Sequence, residues 1–473
     1  MSDYSDKPAD FLFPESVKQW FLQMTTALMG GNSDEMLRLY DKEFATLTSS
    51  YFKQSPWPDP DSDAVLSLSD EDPVFLTLYT QIYYRHMFSK LSPTNEFKKA
   101  SWDNYCAIFE GILDKSLELD VMPSQWLFDI VGEFVYQYQS FCQYRAKGSK
   151  TDESMWNTKD VLSYLHRIIK YSNIKAVLAA QDANQPQPEV PSESVKELGY
   201  FALICLSRAH VLFGDFFTAL CILKPIDFKK RDQLYQKSYS CHVSVYYHMG
   251  FAQLMLGDVA NAVRSFAKII LQVHRNRAYY SKFADYDQVN KLTEKALSLL
   301  MLALYLCPGY TVEEQINALL REKLADKQSA VQKGDISVLS DIFVMAAPKF
   351  ILPNVQAESE DVSKKATALQ LKLFLELVQR HSALPSLHSY VKLYRSIDVE
   401  KLARFRGVSV AACLSEIMAF KLKAEALQSD VHFFVSDSIV KVDEQKREQR
   451  TGQYYMTQIS KLQRVVNSCA TSD

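Results

Sequence analysis

Glycine is scarce in this chain, with 13 among 473 residues, and there are only 16 prolines. Proteins contain roughly 7 % glycine on average, and sheets joined by tight hairpins need glycine wherever φ is positive. The composition therefore argues against an all-β fold, a collagenous protein and a flexible linker protein. Hydrophobic residues make up 47 % of the chain, which is enough to bury a large core.

Strong net charge and paired cysteines are also missing. The formal net charge is −3, so no global field attracts nucleic acid or an anionic membrane. None of the eight cysteines lies in a Cys-x-x-Cys pair, which is typical of reduced thiols in an intracellular protein. The longest apolar run, 296–306, is shorter than the roughly 20 residues that span a bilayer, and the N-terminus lacks a signal-peptide pattern. We therefore predict a soluble, cytoplasmic protein without a membrane partner.

The common catalytic motifs are absent. The sequence has no dinucleotide-binding or P-loop glycine pattern, no His-Glu-x-x-His and no Gly-x-Ser-x-Gly. His242 and His248 are six residues apart and do not share a helix face. Asp129 and Glu133 are one helical turn apart, and we expect them on a solvated helix face rather than as an acid–base pair. We predict that the protein is not an enzyme, with no catalytic residues, metal site, cofactor or small-molecule substrate.

Helical periodicity is the main pattern that is present. Apolar residues recur three and four positions apart in 17–28, after Pro14, and again in 75–86. Ser124 is expected to cap a long aromatic helix, and Thr311 to open another through a capping box. Further helices are predicted at 286–306, 311–323 and 362–382. The chain is therefore predicted to be mostly α-helical, and its aromatic character is concentrated early, because all five tryptophans lie in the first third.

An internal repeat follows a proline-rich segment. The set Ala209, Gly214, Asp215 and Ala219 recurs 43 residues later as Ala252, Gly257, Asp258 and Ala262. Each copy predicts a helix, a Gly-Asp turn and a second helix, with small alanines that let the two helices approach closely. Stacked hairpins of this kind are typical of tetratricopeptide-like repeats. We therefore predict a right-handed helical-repeat solenoid.

The last part of the chain has a different pattern. Helices are predicted at 387–394, 399–405 and 409–426, with a short stretch at 396–398 and alternating strands at 432–435 and 439–442. This order is typical of a winged helix. A polar helix follows from Asp443, and it carries a heptad-like seam made of Tyr455, Ile459, Leu462 and Val466.

These patterns divide the chain into five parts. We predict an aromatic helical domain at 1–180, a linker or an exposed loop at 181–194, helical repeats at 195–385, a winged helix at 386–443 and a C-terminal bundle helix at 444–473.

The winged-helix segment has a small excess of basic residues. Seven basic and four acidic residues lie between 386 and 425. The helix that would read bases begins with small apolar residues, which argues against sequence-specific DNA binding. A packing role and sequence-independent contact with RNA phosphates both stay open, the latter through Arg404, Arg406, Lys421 or Lys423.

Six segments together carry a resemblance to a known family. They lie at 51–58, 74–86, 125–145, 320–323, 332–335 and 348–350. Helical repeats that run into a winged helix and end in a helix resemble the PCI family, which is named for the proteasome lid, the signalosome and translation initiation factor 3. Within it, the six segments closely resemble, in register, the subunit l family of eukaryotic translation initiation factor 3. The resemblance runs from about residue 14 to the C-terminal helix.

The resemblance implies a non-catalytic scaffold that supports preinitiation-complex assembly on the small ribosomal subunit and mRNA recruitment. It implies subunits k, e and c as neighbours, leaves direct contact with mRNA or rRNA open, and starts the PCI domain at about residue 260. PCI winged helices pack edge to edge, and their C-terminal helices join a common bundle. We therefore expect Phe433 and Val435 in a strand that pairs with a neighbour, and partner helices against Tyr455, Ile459, Leu462 and Val466.

Two alternatives stay open at this point. One is a PCI subunit of the proteasome lid or the signalosome, against which the N-terminal aromatic segments argue. The other is an RNA-binding protein that acts through its winged helix.

Overall fold

The computed structural model describes most of the chain. The described residues are 13–117, 119, 120, 122–147, 155–183, 186, 188–230, 233–283, 286–307, 310–353, 362–382, 384–426, 432–443, 452, 455, 456, 458, 459, 462 and 463. They form two compact units. Unit 1 extends to Tyr305 and takes in Thr311–Leu373, and unit 2 takes in Leu306–Tyr310 and the chain from Phe374 on.

Helices make up most of the described part of unit 1, and the last of them continues past Leu373 into unit 2. They are α1 (Glu15–Met29), α2 (Ser33–Arg38), α3 (Phe44–Tyr51), α4 (Asp63–Leu68), α5 (Pro73–Lys90), α6 (Asn95–Asp114), α7 (Ser124–Arg145), α8 (Thr158–Tyr171), α9 (Ile174–Asp182), α10 (Glu193–Phe213), α11 (Phe216–Leu223), α12 (Tyr239–Met255), α13 (Val259–Arg275), α14 (Arg277–Tyr280), α15 (Tyr286–Leu306), α16 (Glu314–Lys333), α17 (Ile336–Ala346) and α18 (Val362–Ser382). A π-helical turn joins α2 to α3, and a 3₁₀ turn precedes α12. The mostly helical fold predicted from the sequence is confirmed.

Aromatic side chains fill the core of the N-terminal helices. All five tryptophans are buried. Trp57 stacks on Phe44 with ring centroids 4.4 Å apart and also lies 5.2 Å from Trp20. A second cluster joins Trp102 and Trp156, whose centroids are 5.0 Å apart. A buried indole N–H needs an acceptor, and that of Trp156 donates to the Lys98 carbonyl at 3.0 Å.

The two Gly-Asp turns of the internal repeat have the same geometry. Gly214 and Gly257 adopt φ of +83° and +80°, which only glycine reaches without strain. The aspartate after each glycine caps the next helix, since Asp215 accepts the Thr218 N–H and Asp258 accepts the Asn261 N–H. The four alanines of the repeat are fully buried. The predicted helix–turn–helix units are therefore confirmed, while their right-handed, tetratricopeptide-like stacking stays a prediction.

A third turn of the same kind connects α16 to α17. Gly334 adopts φ of +75°, and Asp335 accepts the Ser337 N–H. The spacing to the second turn is 334 − 257, or 77 residues, which does not match the 43-residue offset. The described residues therefore hold three such turns, of which the 43-residue repeat predicts two.

Two predicted helix caps are wrong. Pro123 precedes α7 without a side-chain cap, and the Ser124 hydroxyl instead donates to Glu197 of α10 at 2.6 Å. The helix predicted from Thr311 begins later, at Glu314, and no side-chain cap precedes it. In the first case the hydroxyl has a partner in another helix, which local sequence patterns do not show.

The segment 181–194 lies between two helices of the same unit. It starts within α9, and α10 begins at its end. α10 packs against both α7 and α8. The proline-rich stretch therefore connects α9 to α10 within unit 1, and its assignment as a linker or an exposed loop stays a prediction.

Unit 2 combines helices with a small antiparallel sheet. After α18 come α19 (Leu384–Leu393), β1 (Ser396–Asp398), α20 (Val399–Arg406), α21 (Val410–Ala426), β2 (His432–Ser436) and β3 (Ile439–Asp443). The strand order is β1-β3-β2, with Ile397 and Val435 both opposite Val440. Asp437 and Ser438 have positive φ, the pattern of a two-residue type I′ hairpin. The core of this unit contains Leu387, Val391, Ile397, Leu402, Cys413, Ile417, Phe420, Phe433 and Val440.

Candidate interaction surfaces and a buried polar network

The strand β2 lies at the edge of the sheet in unit 2. It pairs with β3 on one side, and no strand covers its other side among the described residues. The Phe433 side chain is buried and stacks on Phe420 at 5.4 Å, and Val435 packs against the same core. Phe434, between them, is 45 % exposed. The two predicted partner-binding residues thus turn inward, and the features available to a neighbour are the backbone edge and Phe434.

The four basic candidates for RNA contact have different environments. Arg404 is exposed and lies 3.8 Å from Glu400. Arg406 is mostly buried and forms an ion pair with Glu416. Lys421 is half-buried, and the side chain of Lys423 lies outside the described residues. Arg406 therefore already has an acidic partner, so the group does not act as four equivalent free charges.

The C-terminal residues with described side chains include exposed apolar positions. Tyr455 is 59 % exposed, Ile459 48 % and Leu462 64 %. Each lies in helical backbone, and their spacing of four and three residues puts them on one face. Met456 beside them is also exposed. Val466, the fourth predicted member of this seam, lies outside the described residues.

A buried polar network connects the helices of unit 1. Asp129 on α7 lies 3.1 Å from the Arg85 guanidinium on α5 and accepts the Tyr40 hydroxyl at 2.8 Å. The Tyr40 ring stacks on Trp126, with centroids 4.6 Å apart. Glu133 lies 3.9 Å from Arg85. The expectation that Asp129 and Glu133 form a solvated face is wrong, because the side chain of Asp129 is only 8 % exposed and is held in an ion pair.

The same network extends to the start of α12. The Gln125 amide donates to Asp129 at 3.0 Å and to Ser240 at 2.7 Å, and its oxygen accepts the Ser238 hydroxyl at 2.8 Å. Glu197 of α10 forms an ion pair with Lys237 close by. The sequence interpretation missed these residues, because the partners lie up to 115 positions apart and no local period relates them.

Burial also fixes the protonation of three histidines. The Nε2–H of His86 donates to the Ser55 carbonyl at 3.1 Å, and burial lowers the pKa of this histidine. Burial lowers the pKa of His242 to about 4 and of His248 to about 3, assisted by nearby Lys268 and Arg208 respectively. These side chains are therefore neutral at pH 7.

The described residues lack two further features. They contain no group of three or more His, Cys, Asp or Glu side chains that could hold a metal ion. In that part of the chain there is also no helix with the length and apolar character needed to cross a membrane.

Comparison with known proteins identifies the family. The family model described as RNA polymerase I-associated factor PAF67 matches residues 98–462. The chain is 32 % identical to eukaryotic translation initiation factor 3 subunit L of Nematostella vectensis, over 97 % of this chain and 94 % of that protein. It is 35 % identical to the Danio rerio protein of that name and 33 % to the human one, over 90 % of this chain and 80 % and 81 % of theirs. The chain therefore belongs to the subunit L family of eukaryotic translation initiation factor 3.

Proposed function

We propose that the chain is a non-catalytic scaffold subunit of translation initiation factor 3 in the cytoplasm. In this role it supports assembly of the preinitiation complex on the small ribosomal subunit and mRNA recruitment. Its immediate neighbours are subunits k, e and c of the same factor. Family membership supports the complex, and the exposed apolar face at Tyr455, Ile459 and Leu462 is the observation that carries the scaffold role.

The exposed seam needs a partner for a physical reason. The seam has three large side chains on one helix face, and each is about half or more exposed. Burying them would stabilise the chain by roughly 25 cal/mol per Å² of apolar area. A helix with one narrow apolar stripe gains this stabilisation by packing against other helices. The seam therefore joins a bundle with the C-terminal helices of neighbouring subunits.

The second partner surface of the proposal lies in unit 2. Its order of helix, strand, two helices and hairpin, with the sheet order β1-β3-β2, supports a PCI winged helix. We propose that a neighbour's strand adds to the backbone edge of β2, the strand that holds Phe433 and Val435, with Phe434 in the interface. Side chains that face the core keep β2 in register, while its backbone makes the contact.

RNA contact through unit 2 is a separate hypothesis. Arg404 is its best placed candidate, because its side chain is 82 % exposed and its pair with Glu400 is loose at 3.8 Å. Charge reversal of Arg404 and Lys421 together should reduce crosslinking to rRNA or mRNA. Unchanged crosslinking would remove RNA binding from the account without affecting the scaffold role.

Truncation and substitution of the C-terminal seam test the proposed function. We expect a chain that ends at Asp443, and full-length Ile459→Glu with Leu462→Glu, to lose stoichiometric co-purification with the other subunits. Met29→Glu is the matched control, since Met29 on α1 is 63 % exposed and outside the seam. The bundle model is wrong if the truncated chain still co-purifies in stoichiometric amounts.

A further inference from the structure

Unit 1 contains an open cavity of about 390 Å³ between α7, α10, α12 and α15. Ligand-binding clefts have roughly this size. The extended chain after α17 closes one wall and supplies Pro348 and Lys349. Two hydrogen bonds hold that chain in place, since Gln139 donates to the Lys349 carbonyl at 2.7 Å and the Ile351 N–H to the Leu212 carbonyl at 3.0 Å. The Tyr247 hydroxyl holds the end of α17, donating to the Ala346 carbonyl at 2.5 Å. The cavity is therefore a built feature of the fold.

Positive charge is in excess in this cavity, because five cationic and two acidic side chains line it. Its acidic lining residues, Asp129 and Glu133, face Arg85. Four other cationic side chains line it: Arg208, Lys291, Lys295 and Lys349. None of the four has an ion pair or side-chain hydrogen bond with another described residue, and the Nε atom of Arg208 is buried without a partner. A buried donor left without an acceptor is costly, so an anion in the cavity would relieve this cost.

The electrostatics of neighbouring groups agree with this picture. Burial, followed by the charge of Lys349, lowers the pKa of the Lys295 ammonium. Arg208 and Lys295 both contribute to the low pKa of His248 in the same cavity. Lys291 and Lys349 stand at the exposed rim, whereas Arg208 and Lys295 are half-buried. The positive charge thus extends from the rim inward.

The cavity also has an apolar floor. Phe128, Leu212 and Val243 are nearly fully buried side chains that line it. These three side chains are already covered within unit 1, and the Tyr136 ring, 39 % exposed, is the lining surface that a ligand can still cover. A small inorganic anion would use the cations but leave that ring uncovered. A peptide that carries both an acidic and an apolar side chain would use both features, and Arg208 offers the fork geometry that suits a carboxylate.

We propose that this cavity binds an acidic segment of a partner protein. A carboxylate of the segment meets Arg208 and Lys295, and an adjacent apolar side chain packs against the Tyr136 ring. That the partner is another subunit of the complex rests on the proposed function. The cavity itself is distinct from the C-terminal seam. Loss of one surface can therefore be measured while the other still holds the complex together.

A photocrosslinker in the assembled complex tests this site. Tyr136 lines the cavity and is 39 % exposed, so we replace it with p-benzoylphenylalanine in the full chain. The control position is Tyr279, which is 58 % exposed on α14. We expect the probe at 136 to crosslink to a partner peptide with an Asp or Glu within a few residues. Arg208→Met with Lys295→Met should reduce that product at least tenfold, with the C-terminal seam intact.

The same double variant separates a binding role from a structural one. If the two charges serve a partner, their removal leaves the isolated chain as thermally stable as before or more so, because uncompensated buried charge destabilises the fold. An assembled complex that gives no crosslink at position 136, or one only to segments without acidic residues, overturns the proposal and leaves the proposed function intact. A saturable rise in the thermal stability of the isolated chain with millimolar inorganic phosphate, with no peptide crosslink, would show a small-anion site instead.

Discussion

The guanidinium of Arg85 lies 3.1 Å from the carboxylate of Asp129, and the pair joins α5 to α7 with side chains only 18 % and 8 % exposed. The Arg85 guanidinium also lies over the Tyr40 ring, 5.3 Å from its centroid. One buried ion pair thus connects three separate parts of the N-terminal helices. Its removal should affect the fold of unit 1 rather than one helix.

The first prediction concerns this pair. Asp129→Asn removes the nearer of the two carboxylates that face Arg85, and breaking a buried pair on one side costs about 3 kcal/mol or more in the free energy of unfolding. Urea titration followed by tryptophan fluorescence measures it, because all five tryptophans belong to unit 1. Glu110→Gln is the matched control, since the Glu110–Arg167 pair is nearly half exposed and is worth less than about 1 kcal/mol. Equal losses in both variants would contradict the structural role of the Arg85–Asp129 pair.

The second prediction concerns the contact between α8 and α10. A Cβ atom on Gly199 would lie 1.8 Å from the Ser172 hydroxyl, so Gly199→Ala should destabilise unit 1 by about 2 kcal/mol through overpacking. Adding Ser172→Gly should recover part of that loss. Gly132→Ala is the control, because its nearest neighbour would be 3.7 Å away and alanine favours a helix by up to about 1 kcal/mol. A double variant no more stable than Gly199→Ala alone would show that this contact is not the cause.

The third prediction concerns acid stability. His242 has a pKa of about 4 in the folded chain against about 6.5 when unfolded. Below pH 6.5 the unfolded state therefore binds a proton that the folded state does not, and stability falls until about pH 4. His242→Phe should keep the stability at pH 7.5 and flatten the decline in this window, measured as urea midpoints between pH 7.5 and 4.5.

The matched control for this prediction is His274→Gln, because His274 is exposed on α13. It should leave the pH profile as in the wild type. His248, with a pKa of about 3, also lowers the stability as the pH falls. The slope of stability against pH in His242→Phe is therefore reduced and not abolished. An unchanged slope would mean that His242 is not buried in the way the structure shows.

Local features of the fold were predictable from sequence, and distant ones were not. The bounds of α15 and α18 were predictable from helical periodicity, because the apolar residues of a helix's buried face recur three and four positions apart. Gly214 and Gly257 marked turns because only glycine suits their positive φ. The partner of Ser124 could not be predicted, since Glu197 lies 73 positions away.

The candidate surfaces show the same limit. Tyr455, Ile459 and Leu462 were predictable from sequence, because their heptad-like spacing puts them on one apolar face of an otherwise polar helix. The structure shows all three exposed. In β2, however, two adjacent phenylalanines gave no clear alternation, and only the sheet register shows that Phe433 faces the core and Phe434 faces out. The cavity cations come from α10, from α15 and from the chain after α17, and no local period in the sequence relates these three segments.

The most direct test of the central claim is the native mass of the complex that the tagged, full-length chain brings down from its own cells. The account predicts a single stoichiometric assembly that contains one copy of this chain with other subunits of translation initiation factor 3, and its loss in the Ile459→Glu, Leu462→Glu variant. Recovery of the chain alone, or with subunits of the proteasome lid or signalosome, would contradict the account.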